Sequence, residues 1–450
     1  MARLACLFPA FPVFHQTFVL WEVMGLKRNG VQPAIYSLKR PGDAQQPEGA
    51  EIAKEVNYLP SALSAEVVTA NWQSLRRDPV RYLRLYLDVV RAWRTGTAIP
   101  LRPAGWEEVR ITPYERMRGW FNSHPLLYLL KSLLLVPTAV HLAQRLKDDG
   151  ITHLHVHWAS YPATVAFVVH RISGMPFSIS AHAYDIYLIA RMLPAKIDAC
   201  RFLTTCARTN ASFLRRLANA ELPHKVDEKV IVNYHGVDVS RFTPIDGSRP
   251  NGGPLKIVSC GQLERYKGMH TLVDACARLK AEGIDLECKI IGEGPRRGQL
   301  QSQIDQLGLN GSVELLGRRP HKEIAELLRA ADVFALASEL GGRRRDVIAN
   351  VIVEAMAVGL PVVATNIPGA DELVEDGVSG FLVRPNRVES VLDGLRKLAR
   401  DPAERRRLGE AARRRVLQDF DSNKNVKQLA ALLANAAADE QGQDKVVSAS

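Results

Sequence analysis

The sequence predicts an α/β protein made of two doubly wound, Rossmann-like domains, and three observations carry that prediction. Short β-rich runs alternate with amphipathic helical segments along most of the chain. The segments between runs are long enough for right-handed crossover helices, so the strands should lie parallel. Near the middle, FTPIDGSRPNGGPLK gathers Gly, Pro, Ser, Asn and Asp without periodicity, as a linker does. A length of 450 residues at 46% hydrophobic content supplies two cores.

In chain order, the first-half strands read ARLACLF, QPAIYSL, THLHVHW, FSISAHA, RFLTTCA and KVIVNYHGVD. They define a domain over 1–245, interrupted by a helical insertion at about 60–125. The second-half strands read KIVSCGQL, LECKIIGEG, SVELLGR, VFALASE, PVVAT and GFLVRP, giving a domain over 253–420. A helix over 421–438 is expected to pack back on the first domain, and the polar end 439–450 is expected to be disordered. MARLACLFPAFPVF reads as a first strand rather than a leader, because prolines break its apolar run. In HPLLYLLKSLLLVPTAVHLAQRLKDDG, Lys131 and Pro137 interrupt the best apolar run, which predicts a buried or surface-lying helix. A cytoplasmic protein is expected.

The net charge of +11 implies an anionic partner. In the insertion, ten arginines from Arg76 to Arg118 interleave with eight aromatic residues from Trp72 to Phe121. That mixture suits an anionic membrane surface, and a solvated helical insertion is the alternative. No nucleic-acid module motif is present, so nucleic acid is not an expected partner. The six cysteines lack metal or disulfide spacing, consistent with a reducing compartment. His153, His155 and His157 alternate on one strand face, where packing is a better reading than a metal site.

Ligands of open α/β sheets gather beyond the carboxyl ends of the strands. After KIVSC, Gly261 permits a tight turn, and Lys267 precedes Gly268 at a helix start suited to phosphate. GEGPRR and RRPHKE follow the next two strands. In RRRDVIANVIVEAMAVGLPVVAT, Asp346 and Glu354 flank the start of an apolar helix that Asn350 is expected to N-cap and Gly359 to end. Carboxylates there suit the hydroxyls of a ribose or sugar, or they simply complement the helix dipole.

The motifs GQLERYKG, IIGEGP, LLGRRPHKEI, ADVFALAS, NVIVEAMAVGLPVVAT and DELVEDGVSGFLV resemble, in order and spacing, those of glycosyltransferase family 4. The resemblance spans roughly Lys256 to Phe420 and implies the GT-B fold, two Rossmann-like domains facing an interdomain cleft. FPVFHQTFVLWEV and HVHWASYPATVAF are similar to the exopolysaccharide, colanic-acid-type subset. The resemblance implies retaining transfer of a sugar from a nucleotide diphosphate sugar to an acceptor hydroxyl, with no cofactor and no obligatory metal. With the basic aromatic insertion, the donor motifs lead to the expectation of a lipid-linked, polyprenyl-type saccharide as acceptor, at the inner membrane face. By the same resemblance Glu354 holds ribose, Asp346 the donor sugar, Lys267 the diphosphate, and Gly294 admits backbone to the nucleotide. Arg318 then lies in the nucleobase loop, and His182 is the histidine near the reacting sugar.

Departures from the family pattern are Asp346 in place of Glu, Gln262 in place of Arg, and Ala349 in place of Pro. Arg265, or the cluster Arg343, Arg344 and Arg345, is the expected substitute for the missing positive charge. A soluble transferase acting on a small sugar, or a non-catalytic nucleotide-sugar-binding protein, are the alternative functions.

Overall fold

The computed structural model describes residues 3–13, 16–42, 47–99, 124–244, 253–340 and 347–447. The described chain forms two compact units. Residues up to 99, 124–233 and the helix from Val426 onward make the first, and Tyr234–Asn425 makes the second. The passage between them falls at Asn233/Tyr234, ahead of the Gly/Pro-rich stretch.

The first unit holds a seven-stranded sheet. Its strands are β1 (Leu4–Phe8), β2 (Ala34–Ser37), β3 (Val56–Tyr58), β4 (His153–His157), β5 (Phe177–Ala181), β6 (Leu203–Thr205) and β7 (Val230–Val232). Their order is β3-β2-β1-β4-β5-β6-β7, and all neighbours run parallel. β1, β4 and β5 are buried at every residue, as strands covered on both faces must be. β3, which the sequence pattern does not mark, adds the outer edge.

The second unit holds β8 (Leu255–Cys260), β9 (Leu286–Ile291), β10 (Val313–Gly317), β11 (Val333–Leu336), β12 (Val362–Thr365) and β13 (Gly380–Val383). They form a six-stranded parallel sheet ordered β10-β9-β8-β11-β12-β13. In each unit the winding reverses between two adjacent central strands, β1/β4 and β8/β11. Such a switch point is where an α/β sheet opens a crevice for ligand.

The apolar segment after residue 124 is two helices, Pro125–Leu134 and Val136–Asp148, bent by 42°. Pro137 sits in the first turn of the second helix, where its missing N–H costs nothing. That second helix is core, with Val136, Ala139, Val140, Leu142 and Leu146 all buried. No single described helix is long and apolar enough to cross a membrane.

The last helix, Ser422–Val447, continues past the point where the sequence reading expects a disordered tail. Its residues Val426, Leu429, Leu433 and Ala436 recur at helical spacing and join the cluster formed by Val19, Val23 and Leu26 of the helix Thr17–Arg28. Gly25 permits this packing, because a Cβ there would stand 2.9 Å from a Val426 methyl.

Candidate functional site

The switch point of the second unit is built by backbone contact between loops. After β8, the Gly261 N–H donates to the Ile291 carbonyl at 3.0 Å, and the Leu263 N–H to that of Glu293 at 3.0 Å. Gly292 (φ +139°) and Gly294 allow this approach. A Cβ on Gly292 would fall 1.9 Å from the Gly261 oxygen, and one on Gly294 would fall 2.6 Å from the Leu263 oxygen. The Leu263 backbone thus occupies the space a Cβ on Gly294 would need.

Lys267 closes a short 3₁₀ turn, Arg265–Lys267, and Gly268 (φ +64°) starts the helix Met269–Ala281. A Cβ on Gly268 would lie 1.7 Å from the Ala337 carbonyl oxygen just after β11, so this contact between the two switch strands requires glycine. Lys267 is buried, its methylenes run over Gly261 and its ammonium lies 5.4 Å from the Tyr266 ring. Gln262 accepts a long 3.5 Å hydrogen bond from the Tyr266 hydroxyl.

Glu354 lies in the second turn of the helix Asn350–Ala357 and is buried. Its Oε1 is 3.0 Å from His321 Nε2, and the His321 ring meets Phe242 edge-on at 5.4 Å. Glu354 and Lys267 lie within electrostatic reach of one thiol at the end of β8. Cys260 is pushed up to about 12, by burial first and then by Glu354, while Lys267 opposes the rise.

Asn350 is not the N-cap. That position belongs to Ala349, in extended conformation, and no side chain caps the helix. Asn350 is instead the first helical residue, and its buried Oδ1 has no hydrogen-bond partner among the described residues. Arg318, after β10, is exposed. Asp346 and Arg343 to Arg345 lie outside the described residues.

Arg265 is engaged within the unit: its Nε is 3.1 Å from Glu339 Oε2, while His270 Nε2 is 3.0 Å from Oε1. Burial pushes the Glu339 carboxyl up, yet His270 and Arg265 together outweigh it and hold the group below its ordinary range. This clamp between the ends of β8 and β11 has no local sequence signature, because its members lie 74 residues apart. His321 and Glu339 both stand in segments that the strand pattern marks, but pairing across loops is not visible in a linear pattern.

In the first unit, His182 follows β5. Its ring packs against Trp158 (4.9 Å), Phe18 (5.2 Å) and His157 (6.0 Å). Beneath it lies a polar layer. Ser178 Oγ joins His153 Nε2 (2.9 Å) to His155 Nδ1 (2.8 Å), and Ser180 Oγ joins His155 Nε2 (3.0 Å) to Thr204 (2.9 Å). Burial pushes His153 down to about 4 and holds His155 well below its ordinary value, so both are neutral at pH 7. Glu22, His155 and His157 present ligating atoms within 4.8 Å of one another. Serines occupy both nitrogens of His155, while His157 Nε2 lies 3.2 Å from Glu22 Oε1 of the helix Thr17–Arg28.

Close to His182, Asp185 and Lys196 are both buried. Burial raises the Asp185 carboxyl to about 6, against its backbone hydrogen bonds and Lys196. Burial likewise lowers the Lys196 ammonium to about 7, against Asp185. Neither residue was marked as part of a site by the sequence.

The family description "Glycosyl transferases group 1" matches residues 242–415. The colanic acid biosynthesis glycosyltransferase WcaL of Salmonella typhimurium is 39% identical over 209 residues, which is 46% of this chain and 51% of that protein. The amylovoran biosynthesis glycosyltransferase AmsK of Erwinia amylovora is 34% identical over 212 residues, 47% of this chain and 52% of that one. The chain thus spans about half the length of the curated relatives it matches. HepE of Anabaena, solved in complex with UDP, aligns over 96% of this chain and 100% of its own, with a TM-score of 0.66 and 17% identity. Sucrose-phosphate synthase of Thermosynechococcus elongatus aligns over 97% and 99%, with a TM-score of 0.64 and 18% identity. These likenesses show the fold, which is GT-B. Residues 242–415 are a glycosyl transferases group 1 domain, and the chain is similar there to transferases of exopolysaccharide synthesis.

Proposed function

We propose that the protein is a retaining, family 4 glycosyltransferase that moves a hexosyl group from a nucleotide diphosphate sugar to a lipid-linked saccharide during exopolysaccharide synthesis. The observation that carries this reading is a buried Lys267 in the turn after β8 and a buried Glu354, 3.0 Å from His321, in the helix after β11, both following strands that adjoin at the switch point. The ammonium serves the diphosphate, and the carboxylate, steadied by His321, accepts hydrogen bonds from ribose hydroxyls. Asp346 serves the sugar hydroxyls, Arg318 the nucleobase, and His182 the reacting sugar. In the retaining mechanism the leaving phosphate receives the acceptor proton, so neither a carboxylate nucleophile nor a metal is required.

A peripheral position on the cytoplasmic membrane face fits the surface of the first unit. On the helices Ala65–Arg77 and Pro79–Trp93, Trp72, Val80, Leu83 and Leu87 are more than half exposed beside exposed Arg76, Arg81 and Arg84. On Pro125–Leu134, Leu126, Leu130 and Leu134 are likewise more than half exposed, at fourfold spacing. Apolar side chains ringed by arginine suit the headgroup boundary of an anionic leaflet.

Transfer is tested by supplying UDP-, GDP- and ADP-sugars with a polyprenyl-diphosphate-linked saccharide and following product anomers by NMR. One donor should give a product with the donor's anomeric configuration. Inversion would remove the retaining mechanism, and turnover with free sugars alone would favour a small soluble acceptor. Donor binding without any turnover would favour a non-catalytic role. Co-sedimentation with vesicles should depend on anionic lipid, and equal recovery in the supernatant with and without it would remove the membrane position.

A further inference from the structure

We infer that Asp185 and Lys196 are positioning residues that fix the turn Trp158–Ser160 against His182, by gripping that turn at its N–H and its carbonyls from opposite sides. Asp185 Oδ1 accepts the backbone N–H of His182 at 2.9 Å, and Oδ2 accepts that of Ala159 at 2.5 Å. One carboxylate therefore joins the turn after β4 to the turn after β5. Lys196 Nζ donates to the Ala159 carbonyl (2.8 Å), the Ser160 carbonyl (2.8 Å) and the Tyr128 hydroxyl (2.9 Å). The ammonium thus uses its three donors on the same turn and on the helix beneath it.

The turn needs holding. Trp158 has φ +73°, a left-handed conformation that residues with a Cβ avoid, and its N–H donates to the Ser180 carbonyl at 2.9 Å. Its ring lies 4.9 Å from that of His182. An aspartate three residues after His182 also suits an ordinary helix-start cap, but a cap uses one oxygen locally. Here the second oxygen reaches 26 residues back along the chain. Both charged groups are almost wholly excluded from water, Asp185 at 2% exposure and Lys196 at 0%. Their hydrogen bonds are thus unscreened and directional.

The inference rests on the reading of His182 as the histidine that meets the reacting sugar, and a double-mutant cycle on the full chain separates the two. Asp185→Asn keeps the shape but places an amide donor against one of the two N–H groups. It should lower kcat about tenfold with donor KM within about twofold, because the donor grip belongs to the second unit. His182→Ala should lower kcat at least about tenfold, and the double variant should fall no more than about twofold below His182→Ala alone. A merely structural role would multiply the two losses.

If His182→Ala is slow while Asp185→Asn is unaffected or multiplies with it, the positioning inference fails alone. If His182→Ala turns over at the wild-type rate, the reading of His182 fails and takes the inference with it. Should Asp185→Asn unfold at the assay temperature, Tyr128→Phe takes its place, since it removes one acceptor of Lys196 and keeps the ring. Its expected loss of about threefold should vanish in the His182→Ala background, and persistence there would overturn the inference.

Discussion

The two units share a parallel sheet and a reversal of winding at its centre, yet the chemistry at the two switch points differs in kind. At β8/β11 the polar groups pair between separate elements: Arg265 with Glu339 across loops that Gly268 lets touch, and His321 with Glu354 across two helices. At β1/β4 they are sunk in the unit: a histidine, serine and threonine layer lies under a helix, beside a buried Asp185 and Lys196. The first arrangement fits the proposed ligand, which brings its own charge and hydroxyls. In the second, Ser178, Ser180 and Thr204 tie His153 and His155 into one buried network, and Asp185 and Lys196 hold backbone groups of the turn beside His182.

That contrast can be broken by removing a buried charge and a paired one in turn. The largest stability effect is expected for Lys196→Met. It leaves the Ala159 and Ser160 carbonyls and the Tyr128 hydroxyl without their donor and the buried Asp185 carboxylate without its nearby opposite charge, and should cost about 3–5 kcal/mol in chemical denaturation. A loss below about 1 kcal/mol would mean that the pair is hydrated in solution.

Gly268→Ala comes next. A methyl group forced to within 1.7 Å of the Ala337 oxygen, at positive φ, should cost about 1–3 kcal/mol and weaken donor binding by parting β8 from β11. Wild-type donor affinity in a destabilised Gly268→Ala protein would detach this contact from the site.

His321→Ala should raise donor KM about tenfold with little change in melting temperature, because Glu354 loses the partner that orients it. An unchanged KM would make His321 a packing residue.

The smallest effect concerns pH. Glu339 has a folded value below its ordinary 4.5, so the stability it adds is fully present above 4.5 and is lost as pH falls through the folded value. Glu339→Gln should therefore destabilise at pH 7 and match the wild type at a pH below the folded value. An equal loss at both pH values would show that shape, rather than charge, matters there.

How far the sequence could be read follows the same division. All six strands of the second sheet are visible as apolar runs, three of them closed by glycine at Gly261, Gly292 and Gly317. Lys267 and Glu354 are visible because each sits at a fixed distance from such a run. The placement of Asn350 failed by one residue, since Ala349 takes the extended cap conformation without any side-chain bond. Gly294 was legible as a glycine that must stay one, but its partner, the Leu263 backbone, comes from another loop. Asp185 and Lys196 were missed because their partners, Ala159 and Tyr128, lie 26 and 68 residues away, beyond the reach of any local pattern.

The central claim, that Lys267 and Glu354 hold one nucleotide diphosphate sugar, is tested most directly by thermal shift. Wild type, Lys267→Ala and Glu354→Ala would each be measured against UDP-, GDP- and ADP-sugars. The account predicts that one donor raises the wild-type melting temperature and that both variants lose that rise. A rise of wild-type size in either variant, or no rise with any donor, would contradict it.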